Sequence, residues 1–125
     1  MTRFTRATRD ARADVGEPSP DTLRIALEQL RKAQLFLSAS EPGRALAALD
    51  ELDARVPAAV LADEREVTRV LALCKTGDAA TAATLAARVL ERSPDSAYAV
   101  SLRESCAGPG LLVEQMRERT SNRAR

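Results

Sequence analysis

Ala45-Leu-Ala-Ala-Leu49-Asp-Glu-Leu52, running on to Pro57, and Ala82-Ala-Thr-Leu-Ala86-Ala-Arg-Val89, running on to Pro94, are two copies of one pattern set 37 residues apart. In each, a small residue comes first, an apolar or small residue follows at +4, an apolar one at +7, and proline closes at +12. Steps of three and four keep these side chains on one face of a helix, and proline cannot continue it. A repeated amphipathic helix of this kind has more apolar surface than it can cover alone, so its copies are expected to stack on partners and share a core.

Outward from the first copy, Ser40-Glu41-Pro42-Gly43 breaks the chain, and a helix over 42–55 is expected with Ala45, Leu46, Leu49, Leu52 and Val56 inside. Before the break, Leu23, Ala26, Leu27, Leu30, Ala33 and Leu37 recur at helical spacing, with Leu35 and Phe36 widening the stripe, which predicts a helix over 22–39 capped by Asp21. After it, Pro57 is expected to open a third helix running to 76, ended by Gly77, with Asp78 capping a fourth that carries the second copy. Ser93-Pro94-Asp95-Ser96 separates a fifth, through Ala97, Val100, Leu102 and Cys106, and Gly108-Pro109-Gly110 is expected to stop it. Residues 1–20 show no apolar period and are expected to be a disordered leader, residues 21–108 the helical domain, and residues 109–125 a basic tail with a short helix at Leu111, Leu112, Val113 and Met116.

The repeat resembles the tetratricopeptide family, on its B helices and on Gly77-Asp78, which looks like the Gly-Asp joining that family's two helices; Ala33 and Phe36 match its small and aromatic A-helix positions. The excess over the family's period of about 34 residues falls between Pro57 and Glu64, so a third helix one turn longer is expected. Arg55-Val-Pro-Ala-Ala-Val-Leu-Ala-Asp-Glu64 and Ser93-Pro94-Asp95-Ser96-Ala97-Tyr98-Ala99 are similar to the repeats of bacterial outer-membrane-assembly lipoproteins and tol-pal coordination proteins, over residues 23–107. The resemblance implies an all-α fold: two tetratricopeptide-like hairpins plus a capping helix in a right-handed superhelical stack. It also implies a protein-binding role.

Composition agrees with an all-helical chain: 45% of residues are apolar, chiefly Ala, Leu and Val, and the only aromatics are Phe4, Phe36 and Tyr98. Basic and acidic residues balance at 19 and 18, which argues against a general nucleic-acid or membrane field. The tails are mildly basic, but no aromatic is interleaved for base stacking. The start has no signal-peptide core, no stretch reaches the ~20 apolar residues of a membrane span, and a cytoplasmic location is expected, periplasmic for a fragment that has lost its signal.

With no histidine, a Ser-His-Asp or Cys-His constellation cannot be assembled, and no phosphate-binding glycine loop is present, so catalysis is not expected. No cofactor, metal ligand set or small-molecule substrate is implied. Asp50, Glu51, Asp53, Asp63, Glu64 and Glu66 lack calcium-loop order and sit beside Arg55, Arg65 and Arg69, the pattern of a solvated, locally paired face. Cys74 and Cys106 are expected as reduced, packed thiols, with a disulfide open to them in an oxidising compartment if their Cα atoms lie within about 7 Å.

The family register places a concave groove along Leu27, Leu30, Gln34 and Leu37 of the first helix and Glu64, Val67, Leu71 and Lys75 of the third. The leucines can equally pack on the second and fourth helices. Taken together they suggest an apolar groove for a partner peptide or amphipathic helix, the role of an adaptor or regulatory scaffold. The alternatives are a homodimeric scaffold joined through exposed apolar ends and a nucleic-acid accessory acting through the basic tail.

Overall fold

The computed structural model describes residues 17–111, and these form helices joined by turns, with no strand among them. α1 is Pro20–Ser38, α2 Pro42–Arg55, α3 Ala62–Thr76, α4 Ala79–Arg92 and α5 Ala99–Glu104. The expected leader and most of the expected tail lie outside the described residues.

α1 starts earlier than its apolar period suggests. Pro20 occupies the first turn, and the cap is Ser19, whose hydroxyl accepts from the Thr22 N–H at 3.1 Å. Asp21, the expected cap, lies inside the first turn, where its charge meets the positive end of the helix dipole. α1 ends with Ser40 in the left-handed conformation (φ 61°), the Ser40 N–H reaching Leu37 O at 3.1 Å and the Glu41 N–H reaching Phe36 O at 2.8 Å. α3 ends the same way: Gly77 has φ 88°, its N–H reaches Cys74 O at 3.1 Å, and that of Asp78 reaches Leu73 O at 3.0 Å. This is the six-to-one, five-to-two bonding of a Schellman cap, so the two copies share a turn geometry as well as a helix pattern.

The third helix does not open at Pro57, and it is not lengthened. Residues 58–61 are turns, Leu61 is left-handed (φ 53°), and α3 begins at Ala62. The cause lies further along the chain. The Arg65 guanidinium, 5% exposed, donates to Pro57 O at 2.8 Å and Val60 O at 3.1 Å while pairing with Asp53. It takes the carbonyls that a helix starting at Pro57 would use for its own ladder.

The helices pack in chain order as antiparallel neighbours. Gln29 of α1 donates to Ala48 O (3.1 Å) and Glu51 (3.0 Å) of α2, and Arg44 of α2 lies 5.9 Å from the centre of the Phe36 ring. Arg69 of α3 reaches Asp50 (3.1 Å) and Asp53 (2.9 Å) of α2, and Arg92 at the end of α4 pairs with Asp63 and Glu66 at the start of α3. α1 also touches α3.

Two apolar cores result. Ala26, Leu30, Ala33, Leu49 and Leu52 close the first hairpin, with Val56 and Val60 beneath it. Val70, Ala86, Val89 and Leu102 centre the second, joined by Ala107 and Leu111. Ala45 and Ala82, the small residues that open the two copies, have no exposed surface.

α5 begins at Ala99, after a turn in which the Tyr98 N–H donates to the Ser96 hydroxyl at 3.1 Å. Gly108-Pro109-Gly110 does not stop the chain. Residues 108–111 are helical, and the Leu111 N–H bonds Ala107 O at 2.9 Å. The glycines serve close approach: a Cβ at Gly108 would lie 2.1 Å from Arg103 O, and one at Gly110 would lie 2.3 Å from the Ala83 Cβ.

Cys74 and Cys106 are joined, with Cα atoms 5.5 Å apart, so the expected reduced thiols are corrected to a disulfide. α5 turns the chain back at Ser105, whose hydroxyl donates to Leu102 O and accepts from the Ala107 N–H, and this lays Cys106 against the end of α3.

Candidate partner-binding surface

The residues expected to form the groove divide into two groups. Leu30 and Val67 are 5% and 6% exposed and belong to the two cores, so they are closed to a partner. Leu71 packs partly against the second core, Leu37 is half-buried, and Gln34 and Lys75 are exposed. Glu64 is half-buried and accepts from the Tyr98 hydroxyl at 3.4 Å. Burial raises the Tyr98 phenol above its ordinary range, and the nearby Glu64 charge pushes the same way.

Leu27, at 46% exposure, belongs instead to a different surface. α1 turns one face to α2 through Ala26, Gln29, Leu30 and Ala33. Beside that contact, Leu23, half-buried against the first core, is followed at four-residue intervals by Leu27, Arg31 and Leu35. Leu35 is 65% exposed and, with Leu27, is among the most open large apolar side chains in the described residues. Pro20, Leu23, Leu27, Leu35 and Phe36 line a shallow, mainly apolar concavity of about 600 Å³, edged by Arg24, Glu28, Arg31 and Lys32. The signal for it in the sequence is Leu35: beside Leu37 and Phe36 it makes the apolar stripe of α1 wider than one neighbouring helix can cover.

The charges around it are loosely held. Arg24 is 3.6 Å from Asp21 and 3.5 Å from Glu28, and Lys32 is 4.0 Å from Glu51, all of them more than half exposed or close to it. Arg31 has no carboxylate partner among the described residues.

The acidic cluster on α2 and α3 is paired as expected, yet less solvated than expected. Asp53 binds both Arg65 and Arg69, and Asp63 and Glu66 together hold Arg92, whose guanidinium pKa is raised first by the Asp63 hydrogen bond and then by that of Glu66. A second cleft of about 480 Å³ lies over this network, lined by Asp53, Arg65, Glu66, Arg69, Leu85 and Arg88. Its charges mostly answer one another across the helices, which makes it a strut between hairpins.

No group of three or more cysteine, aspartate or glutamate side chains is arranged to hold a metal among the described residues, and no described helix is long and apolar enough to cross a membrane. The chain matches no family model, no curated protein and no solved structure.

Proposed function

We propose that this chain is a non-catalytic protein-interaction module of tetratricopeptide-like build, an adaptor or scaffold that takes a partner helix on apolar surface. The build is supported by the order of packing, α1 on α2, α2 on α3 and α3 on α4, with α1 also reaching α3, and by the shared Schellman turn at Ser40 and Gly77. The binding role rests on one observation: Leu27 and Leu35 stand open on a helix whose face toward α2 is buried in the core. Large apolar side chains grouped in a concavity are the ordinary mark of a contact surface.

The Cys74–Cys106 bond favours an oxidising compartment over the cytoplasmic location expected from the sequence. This is compatible with the bacterial envelope proteins that the sequence resembles.

Affinity co-purification of the intact chain and of Leu27→Asp/Leu35→Asp tests the proposal. The double variant keeps its circular dichroism, since both positions are open to water, and loses the protein that the native chain retains. Retention of that protein by a folded double variant refutes the surface.

A further inference from the structure

The proposed role leaves the chemistry of the partner open, and the charges on α1 narrow it. Around the ridge of Leu23, Leu27 and Leu35, the concavity is edged by three cations, Arg24, Arg31 and Lys32, and a single carboxylate, Glu28. Arg24 is shared between Asp21 and Glu28 over 3.5 Å or more, and Lys32 meets Glu51 only at 4.0 Å. Exposed pairs of that length contribute little and are readily exchanged for better ones. Arg31 stands within the ridge, between Leu27 and Leu35, without a carboxylate partner among the described residues.

We infer that the outer face of α1 docks an amphipathic helix of another protein whose apolar ridge is flanked by aspartate or glutamate. The inference rests on the interaction-module reading and adds the sign of the partner's charge. Two helices carrying apolar rows at four-residue spacing interdigitate at close range, and such a crossing brings the residues beside the rows together. The partner's flanking carboxylates then meet Arg24, Arg31 and Lys32, and its apolar ridge covers Leu27 and Leu35.

The chain's own candidates for this face have the wrong sign. A second copy would set Arg24, Arg31 and Lys32 beside the same three cations, an unfavourable pairing of like charges. Residues 1–16 carry four arginines against two aspartates, and residues 112–125 carry four arginines against two glutamates. Charge of the opposite sign, on an acidic partner helix, sets the rate of encounter with this face.

The test uses two synthetic helical peptides with the same leucine ridge, one flanked by glutamates and the other by lysines, titrated into the isotopically labelled intact chain and followed by its amide resonances. The glutamate peptide is expected to shift the amides of residues 23–35 and to bind at least about tenfold tighter than the lysine peptide, a gap that closes as salt rises. Arg31→Glu/Lys32→Glu should reverse the preference, with the fold intact because both side chains are exposed. Equal affinity for the two peptides, or no shift on α1 with either, overturns the inference. Shifts confined to Gln34, Leu37, Leu71 and Lys75 overturn it while leaving the interaction-module reading in place. A light-scattering mass of two chains that Leu35→Asp returns to one, or peptide binding that appears only after residues 1–16 are removed, overturns it in favour of a second copy or the chain's own leader.

Discussion

Breaking the Cys74–Cys106 bond should cost this protein a large part of its stability. The bond closes a loop across 32 positions, from the end of α3 through all of α4 and α5. In the chain-entropy account, a loop of that length removes about 12 cal/mol/K from the unfolded ensemble, or roughly 3.7 kcal/mol at 25 °C. A domain of this size has a total of only about 5–10 kcal/mol. The native side of the bond also matters, because Ala107 and Leu111, buried in the second core, follow Cys106 directly. Cys74→Ala/Cys106→Ala, compared with the oxidised chain by urea unfolding at the far-ultraviolet helix signal, should lose about 3–4 kcal/mol, and its melting point should fall by roughly 15–30 °C. A loss below about 1 kcal/mol with an unchanged denaturant slope would refute the reasoning. So would an intact-mass measurement showing two free thiols in the air-oxidised native chain.

Three further outcomes follow from particular contacts. Ser40→Gly should stabilise the fold by roughly 0.5–1 kcal/mol in the same unfolding assay, because Ser40 holds a left-handed φ that Gly77 holds without penalty at the matching position. Gly110→Ala should destabilise by about 1–3 kcal/mol through the clash with Ala83, whereas Gly43→Ala, where a Cβ meets nothing within 4 Å, should be neutral or slightly stabilising. Tyr98, the chain's single tyrosine, should ionise above pH 10 when its ultraviolet absorbance is followed, and Glu64→Gln should move the midpoint down. Since the folded phenol has the higher pKa, its contribution to stability is complete below about pH 10 and fades as pH rises through the folded midpoint.

What was legible in the sequence is what local spacing decides. α2 and α4 fall where the two copies of the repeat place them, because proline and the Gly77-Asp78 pair punctuate them directly. The turn at Ser40 was legible as a break, but its identity with the Gly77 turn was not, since serine does not advertise a left-handed conformation. Residues 57–61 looked helical because the event that unwinds them is distant: Arg65 takes two of their carbonyls from within α3. The same limit applies to the cysteines, which are brought together only by the reversal at Ser105. It applies to the proposed binding surface as well. Leu27 and Leu30 both belong to the apolar stripe of α1, and only the placement of α2 decides that Leu30 is core and Leu27 open. Leu35 was visible as a widening of the stripe, and the structure leaves it open to water.

The central claim, that the outer face of α1 meets another protein, is tested most directly by photo-cross-linking in the native cell with benzoylphenylalanine at position 35 and, as a control, at position 88 over the arginine cleft. The account predicts a covalent adduct with a different protein from position 35 and none from position 88. No adduct from position 35, or adducts only between copies of this chain, would contradict it.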